Sequence, residues 1–251
     1  DYIVAFETPT GYQLSTANVG ADSSDSDAGM GGLTGCYTLA SGETNTTVDA
    51  GFWRPAAIGD RVWLDANANG QQDAGDVFFD GVSFEIYTCV NDQPGALVAT
   101  TTTDASGNYG FTNLKPGDYI VKFITPAGYS LSPINIGSDA TDSDAGTGGF
   151  TACYNLESGE TDNSVDAGHY QSAAIGDRVW EDRNANGQQD AGDNVIAGAT
   201  VLIYTCVNNA PGVLIAQTTT DLSGNYAFTG LTPGDYIVAF ETPTGYQLST
   251  A

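Results

Sequence analysis

The residues best suited to chemistry lie in one short stretch, Asp65-Ala-Asn67-Ala-Asn69-Gly70-Gln71-Gln72-Asp73-Ala-Gly-Asp76. Oxygen-bearing side chains at alternate positions of a tight loop aim at a common point, and calcium takes about six to eight oxygens. The stretch fits the D-x-N-x-N-G loop with a carboxylate at its twelfth position. Asp65, Asn67 and Asn69 supply side-chain oxygens, Gly70 permits the sharp turn, and Gln71 offers its carbonyl. Asp73 acts directly or through water, and Asp76 closes the shell. Aspartate there is shorter than the usual glutamate, which predicts one-oxygen binding and modest affinity for Ca2+. The plainer alternative is an Asn/Gly-rich turn that holds no ion.

The loop recurs whole as Asp182, Asn184, Asn186, Gly187, Gln188, Asp190 and Asp193, although neighbouring residues change, Leu64 to Glu181 and Ala66 to Arg183. A second acidic cluster, Asp22, Asp25 and Asp27, returns as Asp139, Asp142 and Asp144. Carboxylates this close in sequence repel one another unless they are separated or bridged, so the cluster is either a solvated loop or a second cation site. Asp104 with Asn108, and Asp221 with Asn225, sit in T-D-x-S-G-N-Y, a pattern that predicts an Asx-type turn. Asp49 and Asp166, each in VDAG, fit either role.

These recurrences reflect an internal repeat. DYIV at Asp1 returns at Asp118 and Asp235, AAIGDRVW at Ala56 returns at Ala173, and every spacing is 117 residues. Residues 1–117 match 118–234 at 76 of 117 positions without a gap, and 235–251 are identical to 1–17. One fold is therefore repeated. The phase places a complete unit at 56–172, the back part of a preceding unit at 1–55, and the front part of a following one at 173–251. Neither part is expected to close a core alone. The overlap suggests a slice through a longer covalent array whose neighbouring copies supply the missing strands; strand exchange between chains is the alternative. The opening at Asp1, in mid-strand, likewise suggests that the true N-terminus lies elsewhere.

Strand signals are dense and no segment shows a helical period. Expected strands in the complete unit are Ile58–Leu64, Val82–Val90, Leu97–Thr103, Tyr109–Phe111, Tyr119–Ile124, Cys153–Leu156 and Val165–Tyr170. Turns are expected at Pro94-Gly95, Ser106-Gly107-Asn108, Pro116-Gly117-Asp118 and Ala127-Gly128. About seven short strands in a unit of this length predict an all-β, immunoglobulin-like sandwich.

The chain carries 31 acidic and 6 basic residues, a formal charge of −25. That excludes a phosphate-backbone binder and argues against docking on an anionic membrane. Compact folding of such a chain favours neutralising cations. No apolar run is long enough to span a bilayer, and no signal peptide is visible. A catalytic reading has little to rest on. The single histidine, His169, has Phe52 as its counterpart, and no nucleophile elbow or phosphate loop is present. Acidic pairs could imitate a glycosidase, but cation loops explain them better.

Cys36, Cys89, Cys153 and Cys206 fall two to a repeat, with no metal-type spacing. They read as disulfides of a secreted protein. Cys89 with Cys153 would close a loop within the complete unit, leaving Cys36 and Cys206 to pair with copies outside this stretch. The alternative, Cys36 with Cys89 and Cys153 with Cys206, would staple successive units.

Taken in order, IGDRVWLDANANGQQDAGD, TTTDASGNYGFTNLKPGDYIVKF, DSDAG and SGET…VDAG resemble the SdrD B-type repeat, of the wider collagen-adhesin B-like (Cna B) group of bacterial surface-protein domains. The resemblance spans essentially the whole chain. It implies calcium-dependent sandwich modules strung as stalks, with more than one ion per domain, which makes the second acidic cluster the next candidate. Some members of the wider group form Lys–Asn isopeptide crosslinks. Lys115 and Lys122 have Thr232 and Ala239 as counterparts, so no shared crosslink is expected. The expected role is structural, at the bacterial cell surface, with adjacent copies of the repeat as partners. An adhesin whose repeats bind a ligand is the alternative. Short connectors without a flexible Gly/Ser linker predict an extended, semi-rigid rod.

Overall fold

A computed structural model describes residues 1–249. It is built from nineteen strands and two short 3-10 turns, Met30–Gly32 and Thr147–Gly149. The first part contributes β1 (Gln13–Leu14) and β2 (Phe52–Trp53). The complete unit contains β3 (Ala56–Leu64), β4 (Val77–Phe78), β5 (Ser83–Val90), β6 (Gln93–Thr102), β7 (Asn108–Leu114), β8 (Gly117–Ile124), β9 (Tyr129–Leu131), β10 (Tyr154–Leu156), β11 (Thr161–Asp162) and β12 (Ala167–Gln171). The following part contains β13 (Ala173–Arg178), β14 (Trp180–Glu181), β15 (Asn194–Val195), β16 (Thr200–Val207), β17 (Ala210–Thr219), β18 (Asn225–Leu231) and β19 (Tyr236–Phe240).

In the complete unit, one antiparallel sheet runs β10-β8-β5-β6. The facing sheet is organised around β3. Its first half pairs with β7 antiparallel and β11 parallel, and its second half with β4 antiparallel and β12 parallel; β12 in turn pairs with β9. Alternation along the strands decides which face is buried. Phe84 and Ile86 of β5, with Val121 and Phe123 of β8, point inward to meet Ile58, Val62, Tyr109 and Phe111. Phe84 stacks on Tyr109 with ring centroids 4.2 Å apart and meets Phe123 edge-on at 5.0 Å. The Tyr109 hydroxyl donates to the Val165 carbonyl at 2.6 Å, tying this core to the segment before β12. Tyr119 donates to the Lys115 carbonyl at 2.6 Å, pinning the turn that enters β8. This is the immunoglobulin-like sandwich that the strand pattern predicts.

Several local expectations change. Pro94-Gly95 is not a turn; both residues lie inside β6. The reversal is Asn91-Asp92, both with positive φ (53° and 58°), the tight hairpin conformation that asparagine and aspartate tolerate. Asn208-Asn209 repeats it. Pro94 is accommodated because β6 lies at the sheet edge, where one side of the strand needs no donor. Gly117 opens β8 rather than closing a loop, while Gly107 and Gly128 do turn the chain, at φ 73° and 87°. The short strands β4, β9 and β11 were not expected from the sequence; none is long enough to show a period.

Residues 173–249 gather a smaller cluster of their own. Val201, Ile203, Phe228 and Leu231 are buried together, with Ile175, Tyr226 and Val238 packed against them.

The disulfide links Cys89, at the end of β5, to Cys153, just before β10. The intradomain pairing therefore holds. Cys36 and Cys206 are free, and the staple between successive units does not form in this chain. Lys122 pairs with Glu85 at 3.0 Å.

Candidate metal centre

The loop after β3 is organised by its own side chains. Asp65, fully buried, accepts from the Gly70 N–H at 2.8 Å and the Asn69 N–H at 3.2 Å. Asn67 Oδ1 accepts from the Asn69 N–H at 3.0 Å, and Asn69 Oδ1 from the Gln71 N–H at 2.8 Å. Both asparagine amides donate to Asp73 Oδ2, at 2.8 and 2.9 Å. Asp76 closes the loop on the Ala66 and Asp73 N–H groups at 3.2 and 2.9 Å. Gly70, at φ 81°, supplies the left-handed step, and a Cβ there would meet the Pro133 carbonyl oxygen at 2.3 Å. The second copy repeats this pattern. Asp182 accepts from Gly187 at 2.7 Å, Asn184 and Asn186 both donate to Asp190 at 2.9 Å, and Asp193 accepts from the Asp190 N–H at 2.8 Å.

The second acidic cluster is the more concentrated one. Asp139, Asp142 and Asp144 each bring a ligand atom within 4.8 Å of the others. Asp65, Asp73 and Asp76 form no such trio; among the described residues the other group is Cys89, Asp92 and Cys153, whose sulfurs are bonded to each other. Asp142 and Asp144 are buried, and Asp139 is exposed. In 1–55, Asp27 accepts from the Asp49 N–H at 2.8 Å, as Asp144 does from the Asp166 N–H at 2.7 Å. Asp25 and Asp142, which are counterparts, each keep one buried oxygen without a hydrogen-bond partner. Asp22 is exposed.

The two acidic loops are one assembly. Gln72 N–H donates to the Thr141 carbonyl at 2.8 Å and Ser143 N–H to the Gly70 carbonyl at 3.0 Å, with a β-bridge between Gln71 and Asp142. Asp65 N–H also donates to the His169 carbonyl at 2.8 Å, so β12 braces the start of the first loop.

Asp166 and Asp60 extend the acidic group, a role that spacing left open for Asp166 and missed for Asp60. Asp166 is buried, and Oδ1 accepts from the Arg61 N–H at 3.0 Å while Oδ2 has no partner. Burial, with Asp60 and Asp144 adding their charge, raises its carboxyl to about 8. Burial likewise raises Asp144 to about 6, although the Asp166 N–H and the Tyr154 hydroxyl hold it down in part. Asp142 is raised by burial and by Asp139. Such carboxylates are stable as anions only when compensated, and hard oxygen donors of this kind suit a divalent cation such as calcium. The only advance sign of Asp166 was the recurrence of VDAG. Asp104 and Asp221 behave as expected of Asx-type turns, accepting from the N–H groups two and four residues on at 2.8 and 2.9 Å.

A sandwich unit whose two Asp-rich loops meet beside its first and last strands, flanked by parts of two further copies, defines a class of repetitive all-β modules. The SdrD B-like domain model matches residues 1–52, 56–169 and 173–251, and the chain belongs to that family. It is 37% identical over 254 residues to serine-aspartate repeat-containing protein F of Staphylococcus epidermidis, covering 100% of this chain and 14% of that protein. It is 36% identical over 249 residues to serine-aspartate repeat-containing protein E of Staphylococcus aureus strain USA300, covering 97% and 20%. Among solved structures, the streptococcal ancillary pilin aligns at 16% identity over 97% of this chain and 70% of that one, with a TM-score of 0.34. The Bacillus anthracis TIE protein aligns at 19% identity over 74% and 28%, with a TM-score of 0.33. The chain thus spans a fifth or less of the curated relatives just named.

Proposed function

We propose that these units are calcium-stabilised structural segments of a bacterial cell-surface protein, a stalk or filament element without catalytic activity. The observation that carries this reading is the joining of the two acidic loops. The Asp65–Asp76 loop and the Asp139–Asp144 loop are held together by backbone bonds, and the unpartnered buried oxygens of Asp142 and Asp166 lie in the same acidic group. Asp65, Asn67, Asn69, Gln71, Asp73 and Asp76 would hold one ion. Asp139, Asp142 and Asp144 would hold another, with Asp166 beside them. A bound cation supplies the positive charge that a chain of net −25 otherwise lacks. The natural partners are adjacent copies of the repeat.

Thermal melting with calcium and with EDTA tests this. Chelation lowers the melting temperature, and Asp65→Ala with Asp182→Ala removes most of that sensitivity; identical curves with and without calcium would reject the metal reading. Scattering from arrays of increasing repeat number tests the stalk, with a maximum dimension that grows linearly in calcium.

A second reading, homotypic adhesion, is favoured by the edge strands. β6 and β17 carry no charged residue and expose Leu97 and Val98, and Val213, Leu214 and Ile215. Concentration-dependent lateral association that is lost on Leu97→Lys with Leu214→Lys would support it.

A further inference from the structure

We propose that the connector residue Arg54 fixes the orientation of neighbouring units by docking on the Ser158-Gly159-Glu160 turn, and that the next junction lacks this lock. The connector is bonded on both sides. Toward 1–55, the Trp53 indole N–H donates to the Leu14 carbonyl at 3.1 Å, and the Arg54 guanidinium lies 5.7 Å from the Tyr12 ring centroid. Toward the complete unit, the Arg54 N–H donates to Ser158 Oγ at 2.8 Å, and its carbonyl accepts from the Gly159 N–H at 3.1 Å. The guanidinium also lies against Gly159. A Cβ at that residue, which has φ 79°, would come within 2.8 Å of Arg54 Nε. Pro55 then fixes the backbone that enters β3.

The receiving turn is preformed. Its counterpart in 1–55 has the same internal bonds, Ala40 N–H to Glu43 Oε2 at 2.7 Å against Glu157 N–H to Glu160 Oε2 at 2.6 Å. Nothing lies within 4 Å of a Cβ built on Gly42. The turn therefore forms without an arginine and presents an open glycine surface to one.

At the second junction, Gln171 and Ser172 replace Arg54 and Pro55. Gln171 belongs to its own unit, paired with Tyr129 as the last residue of β12, whereas β2 ends at Trp53 and leaves Arg54 outside the sheet. A glutamine amide carries no charge and lacks the planar fork that stacks on a tyrosine face. Arginine-locked and glutamine-linked junctions thus differ within one chain, and in an array repeating every 234 residues they would alternate.

This proposal rests on the reading of the chain as an array of stalk units, and its test is local. In the full chain, amide hydrogen exchange and residual dipolar couplings are compared for wild type, Arg54→Gln and Arg54→Lys. In wild type, residues 1–53 and 57–171 share one alignment tensor. Arg54→Gln separates the tensors and speeds exchange at Gly159 by about fivefold, the equivalent of roughly 1 kcal/mol of lost bonding. Arg54→Lys keeps the charge, loses the planar stack and behaves like Arg54→Gln. Unchanged exchange protection at core residues such as Phe84 and Val121 shows that the complete unit stays folded. Unchanged Gly159 exchange in Arg54→Gln, or independent tensors already in wild type, would overturn the lock. An array that proves compact or indifferent to calcium would reject the stalk reading while leaving the Gly159 result to stand or fall by itself.

Discussion

The complete unit and the part that follows it share most of their sequence but not their environment. β16 pairs with β17 and β19 in the same register as β5 with β6 and β8, and the Asp182–Asp193 loop carries most of the hydrogen bonds of its counterpart. Burial differs. Ile58, Trp63 and Asp65 are fully enclosed, while Ile175, Trp180 and Asp182 are half-buried; Phe123 is 1% exposed and Phe240 41%. The difference is the contribution of β9 to β12 and the acidic loop between β9 and β10. Local sequence shapes the Asp/Asn/Gly loop, but tertiary structure encloses it and brings it a second set of carboxylates.

The largest expected break in this comparison is covalent. Cys89→Ser with Cys153→Ser opens a loop spanning 64 residues, which costs about 4 kcal/mol in the chain-entropy picture. Hydrogen exchange resolved by segment should show β5, β8 and β10 losing protection, while the cluster around Val201 and Phe228 is unchanged. Equal loss in both regions would mean that the two parts fold as one body. Calcium comes next. At free ion about 100-fold above the dissociation constant, binding to the folded state alone stabilises by about 2.7 kcal/mol. Most of that should appear in the complete unit, and Asp142→Asn with Asp144→Asn should abolish the excess. If residues 182–193 gain protection as strongly as 65–76, the acidic loop contributes nothing to affinity.

The same division explains what could be read in the sequence. The D-x-N-x-N-G spacing is local, so the first loop, its conformation and its recurrence were legible. Alternation in β5 and β8 spans enough residues to show a period of two. Three things were hidden because they depend on residues far apart in the chain. The contact between Gly70–Gln72 and Thr141–Ser143 joins segments some seventy residues apart. Asp166 becomes unusual only when β12 carries it beside Asp60 and Asp144. Asn91-Asp92 is a weaker turn signal than Pro94-Gly95, and the edge position that tolerates a proline in a strand is a property of the sheet.

A smaller effect isolates one hydrogen bond. Tyr109→Phe leaves the buried Val165 carbonyl without this donor and should cost about 1–3 kcal/mol. Tyr226→Phe, at the counterpart position, should stay within about 0.5 kcal/mol. Denaturant titration followed by segment-resolved exchange compares them, and equal costs would show that the Tyr109 bond adds nothing beyond ring packing.

The smallest effect per step is that of pH, and its sign depends on the ion. In metal-free protein, Asp166 is raised to about 8 and Asp144 to about 6, both from an ordinary value of 3.8. Between the ordinary and raised values the folded state holds protons that the unfolded chain has released, so stability falls as pH rises. Acidifying from pH 8 to 6.5 should therefore stabilise the EDTA-treated unit, by no more than about 1.4 kcal/mol per pH unit for each proton. Below pH 6.5 buried His169 opposes the trend. Burial lowers it from 6.5 to about 4, so the unfolded chain takes up that proton first and the gain flattens. His169→Phe, the residue its counterpart Phe52 already carries, should restore the gain on the acid side. With calcium bound the carboxylates are held as anions, protons compete with the ion, and acidification should destabilise throughout. Melting curves at pH 8, 7, 6 and 5, with calcium and with EDTA, read both slopes. Parallel slopes in the two conditions would mean that these carboxylates do not meet the ion, and the buried acidic group would then be a structural feature of the sandwich alone.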